Sequence, residues 1–148
     1  MNIREMKIED YEQVFALWKT IKGFGIRSVD DSREGIERFL KRNPGLSVVA
    51  LHDSRIVGGI LCGHDGRRGC LYHVCVRAEY RVLGIGKEMV LRCREALRKE
   101  GVNKINLIAF KSNAVGNHFW QKLNWKFRDD CNYYETNLNE ENVTHFIP

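Results

Sequence analysis

The chain has 148 residues, 43% of them hydrophobic, which suffices for one domain around one core and is too little for two. Lysine and arginine (24) exceed aspartate and glutamate (19), giving a formal net charge of +5. The excess is spread along the chain without an aromatic-interleaved basic block, which argues against a nucleic-acid binder and suits a phosphorylated anionic ligand. No apolar run is long enough for a membrane span, and the charged opening MNIREMKIED lacks the apolar centre of a secretion signal. The five cysteines form no CxxC pair and no clustered metal site, so they read as reduced thiols of a cytoplasmic protein with no metal.

In chain order, Ile3 to Met6 reads as an opening strand. Asp10, with Gln13 three residues on, resembles a capping box, and Tyr11, Val14, Trp18 and Ile21 share one helical face. Residues 22–30 read as a loop. A second helix, about 32–42, buries Ile36, Phe39 and Leu40 and stops at Asn43-Pro44-Gly45. A meander follows: strands over 46–51, 55–63 and 70–76, with turns at 52–55 and 64–69. The next helix, about 84–100, sets Ile85, Met89, Val90, Cys93 and Leu97 on its apolar face and ends at Gly101. Strand 104–110, a helix about 113–123 and a closing hairpin over 125–130 and 131–138 complete the chain. The predicted order is β-α-α-β-β-β-α-β-α-β-β, an α/β (α+β) fold with a mixed sheet flanked by helices.

The most informative segment is VRAEYRVLGIGK, residues 76–87, where a buried strand turns into an amphipathic helix. Glycines at 84 and 86 let the backbone bend tightly, and the amides from Val82 to Lys87 can converge at the positive end of the helix dipole. Such a turn holds a pyrophosphate or holds nothing. A third glycine is missing and Lys87 is not followed by Ser or Thr, so neither the dinucleotide fingerprint nor a P-loop applies.

The same segment resembles the Arg/Gln-x-x-Gly-x-Gly signature of the GNAT superfamily of N-acetyltransferases. Three further stretches resemble it in the right order: IREMKIEDYEQVFALW, VVALHDSRIVGGILCG and SNAVGNHFWQKLNW. GHDGRRGCLYHVCV looks closest to the YpeA-type bacterial branch. The resemblance implies one GNAT-like domain over 1–148, mostly antiparallel in its sheet. It implies acetyl-CoA as cosubstrate and direct attack by an amine within a ternary complex. The pantetheine arm would follow the backbone of Val74, Cys75 and Val76 where the third strand splays from the next, with the Val76 amide polarising the thioester carbonyl. Arg81, Val82, Leu83, Gly84, Ile85, Gly86 and Lys87 match the pyrophosphate loop, with Val82 where the family often has glycine. Asn113 matches an asparagine that contacts the pantetheine, or it is only a helix cap.

Trp120 stands where the superfamily usually has the tyrosine that protonates the departing thiolate. An indole N–H donates a hydrogen bond but releases no proton near neutral pH. The base is equally open: Ile108 stands where some relatives carry glutamate, and the strand positions other relatives use hold Cys70 and Tyr72. Alternation puts Cys70, Tyr72, Val74 and Val76 on one face and His73 on the other, unless a bulge intervenes. Tyr72 therefore reads as a catalytic residue that lines the acceptor site and relays a proton through water, and His73 as a packed histidine. Loop 22–31 and the hairpin near 129–134, with Phe24, Arg27, Asp30, Tyr133 and Tyr134, would shape that site. The expected partner is a small-molecule or peptide amine, with no nucleic acid and no membrane; a homodimer stays open. The alternative is an acyl-CoA-binding or regulatory module of the same fold with little catalysis.

Overall fold

A computed structural model describes residues 1–148. Strand β1 (Asn2–Glu5) pairs antiparallel with β3 (Val48–His52), Ile3 opposite Ala50. β3, β4 (Arg55–His64) and β5 (Gly69–Val76) form the expected meander. Asp53 and Ser54, at φ 49° and 65°, make the tight turn between β3 and β4, where short polar side chains tolerate left-handed backbone. β6 (Ile105–Asn106) lies parallel to β5, so the sheet runs β1-β3-β4-β5-β6.

Helices α1 (Tyr11–Trp18) and α2 (Arg33–Arg42) cover one face and α3 (Ile85–Lys99) the other. The predicted apolar stripe of α3 is buried throughout and packs on Val57, Ile60 and Leu71. A side chain at Gly58 would stand 3.0 Å from Met89 Cε, so the bare backbone there sets how closely α3 approaches. On the opposite face Val14, Leu17, Trp18 and Ile36 pack on Val49, Ile56, Leu61 and Cys75. Removing a large fully buried side chain such as Leu17 or Leu97 costs about 2–5 kcal/mol. α4 (Ala114–Lys122) follows β6 and buries no residue completely.

Four details differ from the expected order. Asp10 does not cap α1: Ile8–Asp10 is a 3-10 turn, and the carboxylate accepts from the Lys7 N–H and pairs with both Arg4 terminal nitrogens, at 2.8–2.9 Å. Gln13 instead accepts the Ile56 N–H. The 22–30 loop contains a short strand, β2 (Gly25–Arg27), paired antiparallel with β7 (Thr144–Phe146) near the end of the chain. Of the strand expected over 104–110, only Ile105 and Asn106 pair. The hairpin over 125–138 does not form. Its neighbouring Tyr133 and Tyr134 are both exposed, so no alternating face is buried there. The order is β-α-β-α-β-β-β-α-β-α-β, of the expected fold class.

No helix is long and apolar enough to cross a membrane. All five cysteines are free; Cys62, Cys75 and Cys93 are buried.

Candidate active site

The site grows from a bulge in β5. Tyr72 pairs with Leu61 and Cys75 with Gly59, so three steps along β5 oppose two along β4. His73 takes up the extra residue with φ 49°, a conformation that costs a side-chain-bearing residue about 1–2 kcal/mol. The alternation expected for this strand is therefore broken. Leu71, Val74 and Val76 pack toward α3, whereas Tyr72 stacks edge-on against Phe39 of α2. His73 packs against Trp18, and Cys75 lies in the core beneath α1. Tyr72 and His73 thus share a side, which the sequence pattern does not reveal.

β6 pairs with β5 only at Gly69 and Cys70, so the rest of that β5 edge is unpaired on the β6 side. The Arg77 N–H donates to Val57 O at 2.7 Å, and antiparallel alternation then turns the Val76 N–H and C=O away from β4 toward the gap. Arg81 Nε donates to that Val76 carbonyl at 2.9 Å.

The edge leads to the start of α3. A Cβ on Gly86 would lie 3.8 Å from Val76 Cγ2. The six consecutive amides of Val82, Leu83, Gly84, Ile85, Gly86 and Lys87 find no acceptor in the protein, and the first bond of the helix runs from Glu88 N to Gly84 O. Gly84 is left-handed at φ 83° with open space around it, and Val82 is left-handed at φ 63° with its side chain wholly in solvent. Gly86 has a different reason to lack a side chain. A Cβ there would meet the Phe119 ring at 3.1 Å, so this glycine seats α4 against α3 and does not face the loop.

In α4, Asn113 Oδ1 accepts from Gly116 N at 2.9 Å, so Asn113, not Ser112, caps the helix; its amide nitrogen makes no bond in the protein. Trp120 is partly buried between Phe119 and Trp125, with ring centroids 4.9 and 4.7 Å away. A cavity of about 200 Å³ between α3 and α4 is lined by Lys87, Arg94 and Lys122 together with Val90, Leu91 and Trp125. Ile108 is exposed and carries no acid–base group.

On the other side of β5, burial and then the Cys70 thiol push the Tyr72 hydroxyl well above its ordinary range, so it stays neutral. Burial pushes the Cys75 thiol up to about 12. His73 Nε2 lies 3.0 Å from Asp31 Oδ1, and the imidazole sits between Trp18 and Phe24 at centroid distances of 4.6 and 5.1 Å. Asp31 is buried and also accepts the Arg27 N–H at 2.8 Å, while its carbonyl accepts the Tyr11 hydroxyl at 2.7 Å.

The end of the chain fastens this loop. Beside the β2–β7 pairing, Asn142 Oδ1 accepts from the amides of Val29 and Asp30, its Nδ2 donates to Asp30 Oδ2, and Ser28 Oγ donates to Glu141 O. Neither the Asp31–His73 pair nor this strap carries a sequence signal, because both join residues far apart in the chain. Tyr133 and Tyr134 are exposed, with Tyr133 Oη donating to Glu135.

Comparison with known proteins adds three findings. The model of the acetyltransferase (GNAT) family matches residues 8–125. Over 129 residues, 87% of the chain, it is 33% identical to an acetyltransferase of Sodalis glossinidius, covering 89% of that protein. It is 32% identical to an acetyltransferase of Pectobacterium atrosepticum, covering 90% of it. The fold matches the PaiA N-acetyltransferase of Thermoplasma acidophilum in complex with coenzyme A, with a TM-score of 0.75 at 20% identity over 97% of this chain and 95% of that one. It also matches an aminoglycoside acetyltransferase from an uncultured soil metagenomic sample in complex with sisomicin, with a TM-score of 0.72 at 18% identity over 93% and 96%.

Proposed function

The chain belongs to the acetyltransferase (GNAT) family and is an acetyltransferase, and on that premise we propose that it passes the acetyl group of acetyl-CoA to an amine by direct attack in a ternary complex. One observation carries the reading: six successive unpaired amides at the positive end of a 15-residue helix, adjoining an unpaired strand edge. A pyrophosphate satisfies the amides, and an amide-bearing pantetheine arm satisfies the edge. On this reading the Arg81–Lys87 loop holds the pyrophosphate and the Val74–Val76 backbone holds the arm, with the Asn113 amide nitrogen as a further donor to it. The Val76 N–H polarises the thioester carbonyl. Trp120 packs beside the sulfur without serving as acid. A thiol is acidic enough, with a pKa of roughly 8.5, to leave as thiolate.

The acceptor approaches from the loop side, past Tyr72, which stays protonated and lines the site. A small-molecule or peptide amine suits its mixed aromatic and polar residues, and the metagenomic neighbour in complex with sisomicin supports a small molecule. The domain comprises residues 1–148, works in the cytoplasm without a metal, and sits nearest the YpeA-type bacterial branch through GHDGRRGCLYHVCV.

The test is a melting shift with acetyl-CoA followed by thiol release against putrescine, lysine, sisomicin and a short peptide with a free N-terminus. Native-state binding raises stability by RT ln(1 + [L]/Kd). No shift at millimolar acetyl-CoA refutes the site. A shift without turnover on any amine favours the second reading, an acyl-CoA-binding module, which Trp120 in place of an ionisable side chain motivates.

A further inference from the structure

We propose that His73 is the general base of this acetyl transfer and that Asp31 is its positioning residue; the proposal rests on the amine-acetylation reading above. An ionised carboxylate only accepts, so the 3.0 Å contact to Asp31 places the ring proton on Nε2 and leaves the lone pair on Nδ1. Nδ1 has no partner in the protein. Yet the only buried side-chain polar atom without a partner is Arg77 Nε, so Nδ1 of the 12%-exposed side chain is not sealed off from solvent. One nitrogen is thus anchored to a buried acid and the other is unpartnered and not fully enclosed, the arrangement a proton acceptor needs.

Three further features place the pair. His73 is held left-handed by the bulge, three residues before Val76 and roughly 10 Å along the strand, on the side from which the acceptor approaches. Its ring is clamped between Trp18 and Phe24, which fixes its direction. Asp31 is buried and held by the Arg27 amide, in the loop that the C-terminal strap fastens. The other titratable groups on the elements packed around the ring are Tyr11 and Glu12 of α1, Lys22, Arg27 and Asp30 of the loop, and Cys70, Tyr72 and Cys75 of β5; only Asp31 bonds the imidazole. Tyr72 and Cys75 hold their protons, and the Asp30 carboxylate accepts from Asn142 Nδ2.

The step balances. Nδ1 takes one proton from the acceptor ammonium, and the freed amine forms a C–N bond to the thioester carbon. The C–S bond breaks, the second N–H proton goes to the departing sulfur, and His73 returns its proton to water. The products are the N-acetylated amine and CoA thiol.

The test uses the fastest amine of the panel above. His73→Gln should lower kcat about 100-fold at pH 7 with acetyl-CoA affinity unchanged, and its rate should climb steadily with pH as the amine deprotonates unaided. Asp31→Asn should lower kcat about tenfold and displace the acidic limb of the pH profile without changing KM for acetyl-CoA. His73→Gly suits the left-handed backbone and vacates the slot between Trp18 and Phe24, so added imidazole should restore its turnover at least tenfold. Turnover by both His73 variants within threefold of the parent protein overturns the proposal. So does loss of turnover in a folded His73→Gly that binds acetyl-CoA and ignores imidazole. A parent protein that acetylates no amine overturns instead the reading beneath it, and this one with it.

Discussion

Replacing Val82 by glycine tests the backbone of the phosphate loop. Val82 is held at φ 63°, and its side chain is fully exposed. A left-handed conformation costs a non-glycine residue about 1–2 kcal/mol, and β-branching adds crowding at χ1. No packing offsets that cost, since the side chain touches only water. Glycine removes the strain but adds about 0.5–1 kcal/mol of backbone freedom to the unfolded chain. The expected net effect of Val82→Gly is a gain of about 0.5–1 kcal/mol, or about 1–4 °C in Tm for a chain of this size. Urea unfolding should show a raised midpoint at unchanged slope. Val82→Ala keeps the left-handed requirement and should recover less than half of that gain. Destabilisation by Val82→Gly, or an equal gain from Val82→Ala, would show that the φ is not what the loop stores.

Other outcomes follow from the same geometry. Gly86→Ala drives a Cβ to 3.1 Å from Phe119 and should cost about 1 kcal/mol in calorimetry; Phe119→Leu in that background should recover most of it. Trp120→Phe should keep most of kcat in the thiol-release assay, because bulk and apolarity remain. Collapse of turnover with acetyl-CoA affinity intact would give the indole N–H a chemical role. For Asp10, burial pushes the carboxyl up, but the Arg4 hydrogen bonds, the Lys7 amide and both positive charges outweigh it and hold the group below its ordinary 3.8. A depressed carboxylate stabilises above the unfolded value and loses that contribution as pH falls through the lower folded one. Thermal melts should therefore fall off as pH drops below about 4, and Asp10→Asn should flatten that part of the profile.

The parts of the fold that announce themselves in the sequence are those fixed by local chemistry. The β3–β5 meander follows from apolar runs broken by Asp53-Ser54 and by Asp65-Gly66, and α3 follows from the spacing of Ile85, Met89, Val90, Cys93 and Leu97. Gly101 and Asn124 end their helices left-handed, at φ 82° and 64°, as their chemistry predicts. Three-residue strands such as Gly25–Arg27 and Thr144–Phe146 have no periodicity to read and exist only through each other. The run from Cys131 to Leu138 has strand-forming side chains but no partner edge, so its propensity goes unused. In the candidate site, the phosphate-loop segment is visible as glycines ahead of an amphipathic helix. The bulge at His73 is not, since CLYHVCV reads as an unbroken strand, and the single extra residue turns His73 to the side of Tyr72.

The strap between β2 and β7 also bears on the order in which the molecule is made. Gly25 pairs with Phe146, 146 − 25 = 121 positions later. Closing so long a loop costs about 4 kcal/mol in chain entropy before any contact repays it. The sheet, α3 and the phosphate loop draw on residues up to 106, whereas the 23–31 loop waits for Asn142 and β7, which are synthesised after them. A nascent chain can therefore complete the phosphate-loop side while the loop that holds Asp31 is still unfastened.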